Sequence, residues 1–120
     1  MLLHAFVPVS RANGPGLRAV VYFQGCSLQC PGCWNPSSHK FRGIEVTVPE
    51  VAQRFEEARQ FGSLEGATFS GGEPMQQAEA LLELMGQFRT TVAEAGREIQ
   101  QVLRTAMGEL VRNRTRCLSR

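Results

Sequence analysis

The chain has 120 residues, of which 42% are hydrophobic, and its formal net charge is +2 at neutral pH. This length predicts one domain with a modest core, and no apolar run approaches the roughly eighteen residues that a membrane span requires, so no membrane contact is expected. The small net charge gives no indication of nucleic-acid binding, and the lack of aspartate excludes metal or acid–base schemes built on that residue.

The first predicted elements are two strands joined by a turn. Residues 2–9 are apolar enough for a leading strand, and residues 17–24 give the clearest strand signal because β-branched and aromatic residues follow one another there. The intervening sequence Asn-Gly-Pro-Gly-Leu-Arg, residues 13–18, predicts a turn that launches the second strand. Arg18 is expected to be an exposed arginine at the strand edge, with pairing to a carboxylate or contact with a partner protein as the alternative.

Three cysteines follow the second strand in a loop that contains glycine and proline. Cys26, Cys30 and Cys33 have the spacing C-x3-C-x2-C, and three thiolates can hold three irons of a cubane while the fourth iron lacks a protein ligand. Pro31 and Gly32 predict a tight turn, which argues against thiols packed in a core. Trp34 is expected to pack over the metal loop.

The cysteines have two other interpretations. A structural zinc site needs four ligands, and His39 lies close enough to complete a site of three thiolates and one imidazole. A disulfide framework is not expected because the remaining cysteine, Cys117, is distant and no signal peptide is seen. The expected location is therefore the cytoplasm.

A helix, a strand and a second glycine-containing turn come next. Thr47 and Glu50 have the spacing of a capping box, and the helix that they begin is expected to run until Gly62. Residues 67–70 predict a short buried strand. The sequence Gly71, Gly72, Glu73, Pro74 then predicts a tight turn with close backbone approach, after which the proline opens a leucine-rich helix.

The cysteine spacing resembles the cluster motif of the radical S-adenosylmethionine (SAM) superfamily, and residues 71–74 resemble its GGEP motif, about forty residues later. The flanking residues 24–25 and 34–36 and the Gly-Pro-Gly element within residues 13–18 make the resemblance more specific. These segments resemble those of the activating proteins of glycyl-radical enzymes, especially the protein that activates anaerobic ribonucleotide reductase.

The resemblance implies a [4Fe-4S] cluster on Cys26, Cys30 and Cys33, with SAM chelating the open iron through its amino and carboxylate groups. It also implies that the backbone and the acid of residues 71–74 accept hydrogen bonds from the SAM amino group. An electron from an external donor such as flavodoxin would then cleave SAM to a 5'-deoxyadenosyl radical. That radical would abstract hydrogen from a glycine of a partner enzyme.

The order of elements predicts an α/β fold of parallel βαβ units, and the resemblance implies a partial (β/α) barrel that is incomplete at the C-terminus. Both motifs would follow the carboxyl ends of strands, where such sheets place active sites. Residues 1–90 would form the cluster-binding core. Residues 91–120 would form a helical, basic segment, in which residues 104–120 carry five arginines and one glutamate, a net charge of +4.

Because the resemblance covers only about residues 8–88, a second function remains open. The alternative is a non-catalytic metal-binding module, with either a structural zinc ion or a remnant iron–sulfur cluster.

Overall fold

The computed structural model describes residues 1–62 and 64–92. In these residues the strands are β1 (Leu2–Ser10), β2 (Arg18–Phe23), β3 (Ile44–Glu45) and β4 (Gly66–Gly71), and the α-helices are α1 (Val48–Gln60) and α2 (Ala78–Val92). Short 3₁₀ turns lie at Pro36–Ser38 and Pro74–Gln77. Nearly all of the predicted segment 91–120, including Cys117, lies outside the described residues. Neither α1 nor α2 is long and apolar enough to cross a membrane.

The described strands form one mixed sheet in the order β3-β1-β2-β4. β2 and β4 are parallel and are connected through α1, as the predicted βαβ unit requires. β1 lies outside the parallel unit, because it is antiparallel to both β2 and β3. The reason is the short connection at residues 11–17, because a parallel crossover needs a dozen or more residues.

The α/β class is thus confirmed. A barrel is not, because the four described strands form an open sheet.

The core lies between one face of the sheet and the two helices. Alternate residues of β2, namely Ala19, Val21 and Phe23, enter the same apolar cluster as residues of α1 and α2. Phe55 of α1 is at its centre, with edge-to-face contacts to the rings of Phe6, Phe69 and Phe88. These contacts attach α1 to β1, to β4 and to α2.

The predicted capping box begins α1. The Thr47 side chain accepts a hydrogen bond from the backbone N–H of Glu50, and the Glu50 carboxylate accepts one from the Thr47 backbone N–H at 2.6 Å. The reciprocal pair satisfies two backbone donors at the helix start and so fixes where the helix begins. The helix ends at Gln60, close to the predicted stop at Gly62.

The prediction for Arg18 is wrong, because its side chain is only 1% exposed. Its guanidinium donates hydrogen bonds to the Thr68 hydroxyl at 2.8 Å and to the carbonyl oxygens of Pro15 and Ala67 at 2.9 and 2.7 Å. Gly66, its partner in the parallel register, makes this burial possible: a Cβ atom there would lie 2.7 Å from a guanidinium nitrogen. Arg18 therefore fastens the turn before β2 to the start of β4.

Candidate metal centre

The cysteine loop and the turn at Gly71–Pro74 lie side by side. Phe23 and Gly71, the last residues of β2 and β4, are paired in the parallel register, so both segments leave the sheet at the same edge. The N–H of Gly72 donates to the carbonyl oxygen of Phe23 at 2.8 Å, and that of Glu73 donates to the carbonyl oxygen of Gly25 at 3.0 Å. The predicted placement of both motifs at carboxyl ends of strands is confirmed.

Two glycines make this close approach possible. Gly71 has φ +101°, and a Cβ atom there would lie 2.5 Å from the backbone nitrogen and oxygen of Phe23. A Cβ atom on Gly72 would overlap the carbonyl oxygen of Gly25. Side chains at these positions would therefore separate the turn from the cysteine loop.

The cysteine loop is closed at its base by backbone hydrogen bonds. The N–H groups of Gly25 and Cys26 donate to the carbonyl oxygens of Ser38 and His39, at 2.7 and 3.0 Å. Within the loop, the N–H of Cys33 donates to the carbonyl oxygen of Cys30 at 3.2 Å, which forms the predicted tight turn. The loop is therefore an excursion from β2 that returns to its own starting point.

The cysteine loop supplies the types of group that bind an iron–sulfur cluster. Cys26, Cys30 and Cys33 are not in disulfides and are all partly exposed on one loop. The backbone N–H of Asn35 points at the Cys33 sulfur, 3.4 Å away, and a donor of this kind stabilises a thiolate ligand. Three thiols with a donor to one sulfur form a suitable donor set for a cubane that keeps one iron open.

The zinc alternative requires His39 and the three thiols to surround one ion. In the described part of the chain, no group of three or more His, Cys, Asp or Glu side chains, the three cysteines among them, is placed to hold a single metal ion, so this geometry favours neither zinc nor a cluster. What His39 contributes is its backbone carbonyl, which accepts the hydrogen bond from Cys26.

Trp34 does not pack over the loop, so that prediction is wrong. Its side chain is fully exposed, and Leu28 and Met75 nearby in the two segments are also exposed. The surface around the cysteine loop therefore presents apolar side chains to solvent.

Glu73 is a buried carboxylate beside the cysteine loop. Its side chain is 7% exposed and accepts a hydrogen bond from the backbone N–H of Met75 at 2.9 Å. Burial raises the pKa of the Glu73 carboxyl, and the Met75 hydrogen bond opposes that change. Because burial makes the negative charge unfavourable, a cationic group placed next to this carboxylate would be bound with added strength.

Sequence reasoning missed the hydrogen bonds of three glutamines: the side chains of Gln76 and Gln77 connect the two segments, and the backbone carbonyl of Gln24 accepts one of these bonds. Gln76 accepts from the backbone N–H of Ser27 at 3.0 Å and donates to its hydroxyl at 2.6 Å. Gln77 donates to the carbonyl oxygen of Gln24 at 2.8 Å and accepts from the N–H of Leu2 at 2.7 Å. The Gln24 side chain is itself buried and fully bonded. The signal in the sequence was their position, since Gln24 lies two residues before the first cysteine and Gln76 and Gln77 lie shortly after the GGEP motif.

The geometry agrees with a comparison against known families. The family described as "4Fe-4S single cluster domain" matches residues 12–116. The chain belongs to this family. Its matched region includes all three cysteines of the loop and the GGEP turn, so an iron–sulfur cluster domain, rather than a zinc module, is the class that the chain matches.

The curated relatives that match the chain indicate a more specific class of protein within this family. The pyruvate formate-lyase-activating enzyme of Clostridium pasteurianum is 36% identical over 86 residues, which is 69% of this chain and 36% of that enzyme. The enzymes of the same name from Listeria monocytogenes and Staphylococcus aureus are 36% and 35% identical, over 68% and 72% of this chain and 34% and 36% of their own lengths. The predicted resemblance to activating enzymes of glycyl-radical enzymes is confirmed. The match spans about a third of the length of these relatives.

Proposed function

We propose that Cys26, Cys30 and Cys33 hold a [4Fe-4S] cluster and that the adjacent turn at residues 71–74 binds SAM. The observation that carries this proposal is the pair of backbone hydrogen bonds from Gly72 and Glu73 to the end of β2 and the start of the cysteine loop. They join two segments that are about forty residues apart in the sequence into one site. A ligand on the open iron would therefore lie beside the Glu73 carboxylate.

The residues of the turn would orient the amino group of SAM. One hydrogen bond from Met75 uses only part of the accepting capacity of the Glu73 carboxylate, since its two oxygens offer about four lone-pair sites. Gly71 and Gly72 keep the backbone close to the cysteine loop, and Pro74 begins the 3₁₀ turn that places Met75 under the carboxylate. Glu73 is thus a hydrogen-bond acceptor for an ammonium group and not a general base.

The proposed reaction is that of an activating enzyme. A bound cluster would supply the electron for reductive cleavage of SAM, and the radical so formed would take a hydrogen atom from a glycine of the partner. The relatives' printed name supports pyruvate formate-lyase as one candidate for the partner. The residues that flank the cysteines support anaerobic ribonucleotide reductase as the other. The exposed apolar side chains of Leu28, Trp34 and Met75 support a protein surface docking at this edge.

The electron donor, the location and the complete architecture belong to the same proposal. An external one-electron donor such as flavodoxin would reduce the cluster in the cytoplasm. The β2-α1-β4 unit, with α1 and α2 on one face of the sheet, supports a partial barrel of radical SAM type in which the helices lie outside.

The cysteine assignment is tested by anaerobic reconstitution followed by iron, sulfide and zinc analysis and an absorption spectrum. We expect a brown protein with about four irons per chain, because thiolate-to-iron charge transfer colours a cubane while zinc is colourless. Replacing any one of Cys26, Cys30 and Cys33 with alanine should abolish the cluster. The matched control, Cys117→Ala, should keep it. A colourless wild type with one zinc, or equal iron loss in the control, contradicts the assignment.

Turnover is tested separately on the reconstituted chain. SAM should change the EPR signal of the reduced cluster, and formation of 5'-deoxyadenosine is then measured with a chemical reductant. The two candidate partners are compared by glycyl-radical EPR after incubation with each. An EPR signal that saturating SAM leaves unchanged would identify a cluster-binding module without activating function.

A further inference from the structure

The base of the cysteine loop is fastened by one side chain as well as by backbone. Gln24 is 5% exposed and lies between the end of β2 and the start of the cysteine loop. Its amide nitrogen donates to the carbonyl oxygens of Ser37 and Lys40, at 3.2 and 2.6 Å. These acceptors lie on the returning arm of the loop, so the Gln24 amide spans from the strand to that arm and closes the base.

The orientation of this amide is determined by its partners. Both carbonyl oxygens can only accept, so the nitrogen of Gln24 must face them, and its Oε1 must face the His4 ring. Oε1 lies 2.7 Å from Nδ1 of His4. Because Oε1 can only accept, Nδ1 of His4 must carry the proton in that contact. The neutral imidazole is therefore assigned the tautomer that is protonated on Nδ1.

Every polar group of Gln24 thus has a partner. Its backbone N–H donates to Leu2 at 3.0 Å, and its carbonyl oxygen accepts from Gln77 at 2.8 Å. With His4 these contacts anchor Gln24 to β1 and to the 3₁₀ turn that precedes α2. The side-chain amide of Gln24 therefore connects the returning arm of the loop to the sheet.

We propose that Gln24 is a positioning residue for the cluster: it holds the returning arm of the loop against β2, and thereby sets where Cys26 and Cys33 stand for ligation. It touches neither cluster nor SAM and acts through the backbone at residues 37–40. This role rests on the proposed cluster site. A test on the metal-free chain separates the two, because the contacts of Gln24 do not involve the cysteines.

The first experiment compares Gln24→Glu and Gln24→Met with a control, Gln53→Glu, on the exposed surface of α1. Glutamate has nearly the shape of glutamine but presents an oxygen to two carbonyl oxygens, whereas methionine removes the polar contacts with little change in volume. Amide hydrogen exchange of the metal-free protein is measured at Gly25 and Cys26, whose N–H groups bond to the returning arm, and at Val21 in the strand.

We expect exchange at Gly25 and Cys26 to become at least about tenfold faster in both variants, because two hydrogen bonds of ordinary strength hold the arm. Exchange at Val21 should stay within about twofold of the wild type, and the control should change neither. Unchanged exchange at the loop base, or an equal increase at Val21, would overturn the proposal.

A second readout concerns the loaded protein. In the Gln24 variants, iron should be released to a chelator at least about tenfold faster than in the control, and the midpoint potential of the cluster should differ from that of the wild type. Identical release rates and potentials would contradict a positioning role. If the wild type takes up no cluster at all, the proposed function fails, and the exchange experiment still decides the role of Gln24.

The third readout needs no variant and so does not depend on whether one folds. Long-range proton–nitrogen correlation spectra of the neutral His4 imidazole in the wild type should show the ring protonated on Nδ1. A His4 ring protonated on Nε2 would overturn the proposed hydrogen-bond arrangement.

Discussion

Replacing Glu73 with glutamine removes the charge of the buried carboxyl and keeps its shape. The amide oxygen of glutamine can still accept the hydrogen bond from Met75, so the start of the 3₁₀ turn should be retained. What is lost is the proposed charge-assisted hydrogen bond to the ammonium group of SAM. A hydrogen bond to a charged group is worth about 1.5–3 kcal/mol, so the Kd for SAM should rise by about tenfold to a hundredfold.

The same variant should change stability with a defined sign. Because burial raises the pKa of the Glu73 carboxyl, the folded chain binds the proton more tightly than the unfolded chain does. The charged carboxylate therefore lowers the free energy of unfolding at neutral pH, and this cost disappears as the pH falls through the raised pKa. Glu73→Gln should be more stable than the wild type at neutral pH, and the difference should shrink under acid conditions.

The assays are SAM binding to the cluster-loaded protein, followed by EPR, and urea unfolding of the metal-free protein at several pH values. Glu45→Gln, on an exposed part of β3, is the matched control and should alter neither quantity. Iron content should be equal in all three proteins. If Glu73→Gln binds SAM as tightly as the wild type, or is destabilised at neutral pH relative to acid, the assigned role of this carboxylate is wrong.

Five further substitutions test the remaining features. His39→Ala should keep its full iron content, and loss of metal, measured by iron and zinc analysis, would favour the zinc alternative. Gly72→Ala should lower the free energy of unfolding by about 1–3 kcal/mol, as overpacking typically does, whereas Gly86→Ala, where a Cβ atom meets nothing within 4 Å, should not lower it in urea titrations. Thr47→Ala should cost about 1 kcal/mol through the lost helix cap. The hydrogen bond from the Thr47 backbone lowers the pKa of Glu50, so its contribution should be complete above the ordinary value of 4.5 and vanish as the pH falls through the lowered pKa; Glu50→Gln should remove this pH dependence of unfolding.

Local chemistry explains what could be predicted. A capping box depends on two residues three positions apart, and Thr47 and Glu50 carry it completely within the sequence. The adjacency of the two motifs follows equally simply, because neighbouring parallel strands end at the same edge of a sheet. The cysteines and the Gly-Gly pair each follow a predicted strand, and this order was sufficient to predict where the candidate site lies.

Contacts with distant backbone explain what could not be predicted. The burial of Arg18 depends on Gly66, which is 48 residues away and leaves the space for its guanidinium. The acceptors for Gln24 are two backbone carbonyls, which every residue possesses and which no side-chain pattern reveals. Residues 2–9 were predicted to be a strand, but the antiparallel direction of β1 follows from the short connection at residues 11–17.

The position of the candidate site follows from the parallel pairing of β2 with β4. α1 connects β2 to β4, its Phe55 packs against the rings of Phe6 on β1 and Phe69 on β4, and the parallel register sets Phe23 against Gly71. Once that register is fixed, the cysteine loop and the GGEP turn must meet, whatever the rest of a longer relative contributes. A match over about a third of the relatives' length can therefore contain both segments of the site, because one βαβ unit is sufficient to bring them together.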